Sequence, residues 1–193
     1  MAKAYHHGDL YEQLLNAGEQ ALAEMHVEKV SLREIARRAG VSHAAPKHHF
    51  PTLGHLFGEI AARGYERFVT AIGNAAEAAT PQTPNERLVA MGRAYLAFAE
   101  QNPGVYLLIF GQRQEMVMTP NLTASAYVAW MMLVDGAAAF TGPQRAEVAA
   151  LHTWSFVHGL AMLKLTGRVP PGVLKSNLEE RQIRMAIESL RIE

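Results

Sequence analysis

Basic and imidazole side chains are concentrated between residues 31 and 50, and their chemistry suits contact with nucleic acid. They are Arg33, Arg37, Arg38, His43, Lys47, His48 and His49, and they are accompanied by one acid, Glu34. Arginine and lysine bind phosphate oxygens, and histidine gains a positive charge near neutral pH. This combination favours a surface that contacts a phosphate backbone.

The spacing of the same stretch predicts two short helices joined by a tight turn. Ser31 can cap the first helix, and Glu34 stands at the capping-box distance. One face of this helix is apolar and consists of Leu32, Ile35, Ala36 and Ala39. Gly40 suits the end of the first helix, and Ser42 can cap the second. The layout is that of a helix-turn-helix, although an ordinary helical hairpin with a solvated basic face gives the same pattern.

Length and composition favour an all-α protein with a small head and a larger body. The chain has 193 residues, of which 49% are hydrophobic, so it can bury a substantial core. Alanine, leucine and methionine are plentiful, and no alternating strand pattern is present. The absence of cysteine excludes disulfides, thiolate zinc sites and thiol catalysis.

Charge and hydropathy indicate the cellular compartment in which the protein is expected. The formal net charge is zero, and no window reaches about 18 uninterrupted apolar residues. No signal peptide is recognisable at the start of the sequence. We therefore expect a cytoplasmic protein with no membrane partner.

Apolar periodicity and breaker residues predict about nine helices. A helix over residues 8–25 would complete a three-helix head, and a long helix over 53–79 would link the head to the body. The remaining helices are predicted near 84–102, 105–110, 122–140, 143–166 and 176–191, the last capped by Ser176. We expect an N-terminal domain at residues 1–52, extending into the linking helix, and a C-terminal domain at residues 80–193.

The pattern S-L-R-E-I-A-x-x-A-G-V-S from Ser31, with His49-Phe50 following, resembles the tetracycline-repressor-like (TetR/AcrR) regulators. The body is similar to the branch with a Trp-His-Gly signature, here Trp154, His158 and Gly159. The resemblance implies a homodimeric transcriptional regulator, usually a repressor. Its head would bind double-stranded operator DNA, and its body would bind a small-molecule effector and dimerise.

Carried over residue by residue, the resemblance implies a DNA-binding surface on the helix-turn-helix. Arg33 matches a position that reads a base edge or clamps phosphate, and Lys47 stands where tyrosine is usual. The alanines suit contact with the thymine methyl group. The expected DNA-binding residues are Ser31, Arg33, Ser42, His43, Ala44, Ala45, Lys47, His48 and His49.

Two residues depart from the family pattern. Leu53 replaces a lysine that usually contacts phosphate at the start of the long helix. Pro46 removes a main-chain donor inside the second helix and disfavours the α conformation at Ala45. The sequence therefore predicts an irregular reading helix and a shallow dependence of DNA affinity on salt.

Methionine and aromatic residues are spread over several body helices in greater number than a tight helical core prefers. Each one singly fits the core, and together they favour a pocket for a small, largely apolar or aromatic molecule. The candidate lining residues are Met91, Tyr95, Phe98, Tyr106, Phe110, Tyr127, Trp130, Met131, Trp154 and His158. For His158 we expect a structural role beside Trp154, with a pocket donor or a metal ligand as the alternatives.

Small residues on the predicted helix at 143–166 allow close approach of another helix. This favours a twofold interface in which the helices at 143–166 and 176–191 pair with their mates. The candidate interface residues are Leu151, Ser155, Gly159, Met162, Ile183, Ile187 and Leu190.

The sequence supports other classes of function to different degrees. No nucleophile–base arrangement, phosphate-binding glycine loop or His-Glu-x-x-His motif is present, so we expect neither an enzyme nor a bound cofactor or metal. Seven of the nine histidines lie within the first 55 residues, which leaves open a metal- or pH-responsive DNA binder. Leu53 and Lys47 leave open a protein of this fold that does not bind DNA.

Overall fold

The computed structural model describes residues 7–111, 116–170 and 178–191. Within these ranges every regular element is a helix, which confirms the predicted all-α class. The α-helices are α1 (His7–Glu24), α2 (Leu32–Arg38), α3 (Leu53–Ala78), α4 (Pro84–Gln101), α5 (Pro103–Phe110), α6 (Pro120–Thr141), α7 (Ala146–Leu165) and α8 (Leu178–Glu188). Single 3₁₀ turns occupy Val27–Lys29, Ala45–His48, Pro143–Arg145 and Ser189–Arg191. The predicted cap at Ser176 lies outside the described residues.

The chain forms two compact units. The first comprises Met1–Tyr65 and Asn102–Ala126, and the second comprises Glu66–Gln101 and Tyr127–Glu193. Proximity thus groups α5 and the start of α6 with the N-terminal helices. The predicted division at residues 52 and 80 is a division by function, and it stays a prediction.

The first unit is built on the apolar face of α1. Gly18 brings α1 close to α3, because a Cβ at this position would lie 2.5 Å from Ile60 Cδ1. At Gly104 the backbone of α5 passes so near α1 that a Cβ would overlap the Leu22 carbonyl oxygen. Ile35 of α2 is fully buried against this core. These approaches hold α2 at a defined position on the unit.

The second unit is organised around α4, which packs against α7 and α8. Gly92 of α4 leaves space for α8, since a Cβ there would lie 3.0 Å from Ile183 Cγ2. Ile183, Ile187 and Leu190 are buried inside the subunit. Their assignment to a surface that meets a partner chain is therefore corrected, because these side chains fill the core of their own chain.

An ion pair fixes α8 on α4. Arg184 donates hydrogen bonds to both carboxylate oxygens of Glu86, at 2.6 and 2.9 Å, and to Glu180 at 2.7 Å. The two bonds to Glu86 form a bidentate pair, the geometry in which arginine binds carboxylates most strongly. The carboxylates raise the pKa of Arg184 above its ordinary value, so the side chain stays charged.

Candidate nucleic-acid interface and body cleft

Local chemistry defines both ends of α2. The Ser31 Oγ accepts a hydrogen bond from the Glu34 N–H at 3.2 Å, which confirms the predicted N-cap. At the other end, Gly40 has a φ of 69°, and the Val41 N–H donates to the Ala36 carbonyl at 3.0 Å. This is a Schellman ending, which glycine adopts at low cost. The tight turn predicted after α2 is confirmed.

The second helix of the predicted helix-turn-helix is reduced to one 3₁₀ turn, Ala45–His48. In an α-helix capped by Ser42, the N–H of residue 46 would donate to the Ser42 carbonyl, and Pro46 has no N–H. The Ala45 N–H makes this bond instead, at 3.0 Å and with the tighter 3₁₀ spacing. Ala44 is the N-cap and makes no side-chain hydrogen bond, so the prediction that Ser42 caps this helix is wrong. The predicted irregularity is confirmed.

The outer surface of this turn consists of small, imidazole and ammonium groups. Seven of the nine predicted DNA-binding residues are exposed: Ser31, Arg33, Ser42, His43, Ala44, Lys47 and His48. Ala45 and His49 are half-buried. The His49 ring meets Tyr11 edge-on, with centroids 6.1 Å apart. His49 therefore contributes to packing between α1 and the turn.

An ion-pair network joins the first and last turns of α2. Glu34 accepts two hydrogen bonds from Arg37, at 2.8 and 2.7 Å, and one from Arg38 Nε at 2.8 Å. Arg38 Nη1 also donates to Glu24 at 2.7 Å. These guanidinium groups lower the pKa of Glu34 to about 2. Glu34 is thus ionised at neutral pH, and it neutralises charge that the sequence assigns to the basic surface.

A polar cluster joins α1, α3 and α6 inside the first unit, and we name it the Glu59 cluster. Glu59 Oε2 accepts hydrogen bonds from the Tyr11 hydroxyl at 2.9 Å and from Asn121 Nδ2 at 2.8 Å. Burial, together with the Glu59 carboxylate, raises the pKa of Tyr11 to about 12. The Tyr11 ring stacks on Phe50 at 5.0 Å. The start of α6 is therefore connected to Phe50, which lies two residues beyond the 3₁₀ turn.

In the second unit, Tyr95 joins the two aromatic residues of the Trp-His pair. The Trp154 indole N–H donates to the Tyr95 hydroxyl at 3.3 Å, and that hydroxyl lies 3.1 Å from His158 Nδ1. The rings of Trp154 and His158 meet edge-on at 6.3 Å. Burial lowers the pKa of His158 below its ordinary value. A neutral imidazole packed between helices agrees with the structural role expected for this histidine.

A cleft of about 540 Å³ lies in the second unit between α3, α4 and α6. Its wall is mostly methionine, alanine and glycine. The predicted pocket residues that line it are Met91, Tyr127 and Met131. Sequence analysis missed the other characteristic lining residues, which are Met132 and the charged Glu77, Arg87 and Asp135. A mostly apolar wall with a few polar groups is the usual composition of a small-molecule site.

The other predicted pocket residues lie elsewhere. Tyr106 is fully buried in the first unit, and its ring centroid is 5.0 Å from that of Phe110. Tyr95 and Phe98 each meet Phe68 edge-on at 5.3 Å in the second unit. Trp130 packs against a small core cluster and lies 6.3 Å from Trp154. Tyr95, Phe98 and Tyr106 therefore fill cores, as each of them singly is expected to do, and Phe110 and Trp130 are half-buried.

An apolar stripe is exposed on α7. Leu151 is 54% and Val148 76% exposed. Ser155 is also exposed, and Gly159 and Met162 are half-buried. On α8 the exposed apolar residue is Met185, which sequence analysis missed. Four of the predicted interface residues thus share one face of α7.

Within the described ranges, α6 is the one helix whose length and composition would allow it to cross a membrane, and 11% of that stretch is buried. In the second unit its residues from Tyr127 to Ala139 include seven that line the cleft. The apolar character of α6 is accounted for in part by this cleft.

The described part of the chain contains no group of three histidine, aspartate or glutamate side chains placed to hold a metal ion. The side chains of His6 and His7 lie outside the described residues.

Family models match both parts of this architecture. A model described as bacterial regulatory proteins of the tetR family matches residues 14–60, and one described as a tetracyclin repressor-like C-terminal domain matches residues 88–186. The chain therefore belongs to the TetR family, and it is a transcriptional regulator with a DNA-binding helix-turn-helix. Membership in the Trp-His-Gly branch stays a prediction.

Solved structures share the fold over nearly the whole chain. A protein of unknown function from Rhodococcus sp. RHA1 is 28% identical, with a TM-score of 0.79 and coverage of 98% of this chain and 97% of the other. A transcriptional regulator from the same organism is 23% identical, with a TM-score of 0.72 and coverage of 93% and 95%. A tetR-family regulator from Streptomyces coelicolor is 17% identical, with a TM-score of 0.69 and coverage of 96% and 80%. The comparison with curated proteins returns no match.

The lowered pKa of His158 predicts a pH-dependent contribution to stability. The unfolded chain binds this proton near pH 6.5, and the folded chain binds it only at lower pH. Between the two values the unfolded state holds more protons, so the free energy of unfolding falls as the pH drops below about 6.5. The melting temperature should therefore decrease more between pH 8 and pH 5.5 for the wild type than for His158→Gln. An equal fall in both proteins would contradict this assignment.

Proposed function

We propose that this protein is a homodimeric repressor that leaves its operator when a small, largely apolar or aromatic effector binds in the cleft between α3, α4 and α6. The cleft is the observation that carries the proposal. Its volume of about 540 Å³ falls in the range of small-molecule sites. Family membership supports DNA binding, and the cleft supplies the place for a regulating molecule.

The cleft wall indicates the chemistry of the effector. Met91, Met131 and Met132 present flexible thioethers, which adapt to aromatic and aliphatic surfaces. Arg87 and Asp135 add opposite charges that can orient a polar substituent. The effector is therefore a mostly apolar molecule with few polar groups.

On the head, Arg33 and Lys47 are the cations assigned to DNA phosphate. Both are exposed, and within the described ranges neither makes an ion pair. His43 and Ala44 stand on the outer side of the turn, where an imidazole and a methyl group can meet base edges. Charged contacts are few, so affinity depends on two heads acting together.

Two helices connect the cleft to the head by continuity of the chain. α3 carries cleft residues at Gly73 and Glu77 and carries Glu59 nearer its start. α6 carries cleft residues from Tyr127 onward and carries Asn121 in its first turn. An effector that shifts either helix would strain the Glu59 cluster and, through Tyr11, the end of the reading turn. Allosteric coupling requires a structural element with two arrangements, and in this proposal the element is α3 or α6 together with the Glu59 cluster.

Dimerisation is assigned to the apolar stripe on α7 with Met185 of α8. Exposed apolar residues that follow one helical face favour burial against another chain. A Cβ at Gly159 would meet no atom of the described chain within 4 Å. The small residue is therefore not needed for packing within the subunit, and it leaves room for a partner helix.

Leu151→Glu is expected to produce a monomer, because dimerisation would bury a carboxylate in an apolar interface. Sedimentation equilibrium at micromolar concentration should give twice the chain mass of 21.2 kDa for the wild type and the chain mass for the variant. Leu107→Glu is the matched control, since Leu107 is also an exposed leucine but lies on α5. A dimeric Leu151→Glu variant would refute the assigned interface.

Met131→Trp is expected to fill part of the cleft and weaken binding of a neutral aromatic probe, N-phenyl-1-naphthylamine. Loss of about 1.4 kcal/mol of apolar contact corresponds to tenfold weaker binding, measured by the fluorescence of the probe. Met118→Trp makes the same change at an exposed methionine in the first unit, and it should bind the probe as the wild type does. Unchanged affinity in Met131→Trp would remove the cleft from the proposal.

A further inference from the structure

We propose that Glu34 limits the affinity of the head for DNA by holding the Arg37 guanidinium in an internal ion pair that competes with a DNA phosphate. The inference rests on the proposed contact of α2 with DNA. It assigns a role to an acidic residue outside the expected contact set.

The ion pair has the geometry that a phosphate would require. Arg37 Nε donates to Glu34 Oε2 at 2.8 Å, and Arg37 Nη2 donates to Oε1 at 2.7 Å. Two parallel N–H···O bonds are also the arrangement in which arginine binds phosphate. The carboxylate therefore occupies the Nε/Nη2 fork of the guanidinium, two of its five N–H donors, and neutralises its charge.

Arg37 lies where DNA can reach it. Its side chain is 66% exposed. Arg33 precedes it by four residues, so the two share a face of α2. A duplex that contacts Arg33 therefore approaches Arg37 as well, and it meets an already neutralised guanidinium.

Arg38 differs from Arg37 in having a second acidic partner. Its Nη1 donates to Glu24 at 2.7 Å, and its side chain is only 15% exposed. Removal of the Glu34 charge leaves Arg38 paired with Glu24. The released cation is therefore Arg37.

The pair persists near neutral pH. The arginine hydrogen bonds lower the pKa of Glu34 to about 2, so protonation of the carboxylate does not open it near neutral pH. Only competition or mutation frees Arg37. Glu34 thus acts as a constant limit on DNA affinity and not as a pH switch.

Glu34→Gln tests the inference directly with a 30-base-pair duplex of arbitrary sequence, titrated at several salt concentrations. The logarithm of affinity falls with the logarithm of salt with a slope of about −0.9 per phosphate contact. Release of Arg37 in each protomer should steepen the slope by about 0.9 per head and tighten binding at 0.1 M salt. The Ser31 cap uses the backbone N–H of residue 34, which the substitution preserves.

Glu28→Gln is the matched control for charge alone. Glu28 is exposed in the first 3₁₀ turn, and within the described ranges it has no ion-pair partner. Its substitution removes the same charge without releasing an arginine, so the salt slope should stay at the wild-type value. A steepening equal to that of Glu34→Gln would show that net charge explains the effect and would overturn the proposal.

Arg37→Gln gives an independent test that does not require Glu34 to be replaced. Since Arg37 is already neutralised in the wild type, its loss should leave the slope unchanged, whereas Arg37→Gln added to Glu34→Gln should abolish the steepening. A flatter slope for Arg37→Gln alone would overturn the role of Glu34. Lys47→Ala should make the salt slope shallower by about 0.9 per head. A slope equal to that of the wild type for Lys47→Ala would instead refute the proposed DNA face.

Discussion

The missing N–H of Pro46 is the constraint on which the DNA-binding end of this TetR-family regulator depends. It removes the first i→i−4 hydrogen bond of an α-helix that starts at Ser42, and the chain forms one 3₁₀ turn, Ala45–His48. Pro46 itself is buried, and Phe50 closes the turn by stacking on Tyr11. The reading element is therefore short, and it is held by packing more than by its own hydrogen bonds.

A short reading element shifts the work of DNA binding to other parts of the protein. Only a few outward residues remain on the turn, and Leu53 adds no cation at the start of α3. On α2, Glu34 already pairs with Arg37 through two of the five N–H donors of the guanidinium. In the proposed dimer, affinity then depends on two heads, which would make the exposed stripe of α7 as important for DNA binding as the helix-turn-helix. Weak individual heads would also suit the proposed regulation, because a modest change in head spacing would lower the affinity of the pair.

Local features could be predicted from the sequence because neighbouring residues determine them. The Ser31 cap, the left-handed Gly40 and the irregularity at Pro46 are of this kind. Periodicity also identified which residues of α8 share a face, but it could not tell whether that face meets α4 or a partner chain. Ile183 and Ile187 were misassigned for this reason, and the space left by Gly92 decides the outcome.

Features built from distant residues gave no sequence signal. In the Glu59 cluster, Tyr11 is separated from Glu59 by 48 positions in the sequence and Asn121 by 62 positions. Only the packing of α1, α3 and α6 brings these side chains together. The cleft is similar, since Glu77, Arg87 and Asp135 are ordinary helix-surface residues in the sequence. Conversely, Tyr106 is an aromatic residue of the expected type that the fold places in a core, where its ring meets that of the half-buried Phe110.

The salt dependence of duplex binding tests most directly whether this head binds DNA through few charges. In the proposed dimer, two heads that each contribute Arg33 and Lys47 would make about four phosphate contacts, which predicts a slope near −3.6 for log affinity against log salt. The measurement uses the wild-type protein and the DNA upstream of its own gene. A slope near this value with two chains per duplex would support the mechanism. A slope of about −6 or steeper would contradict it, because the Glu34-paired arginines or other cations would then have to contact DNA.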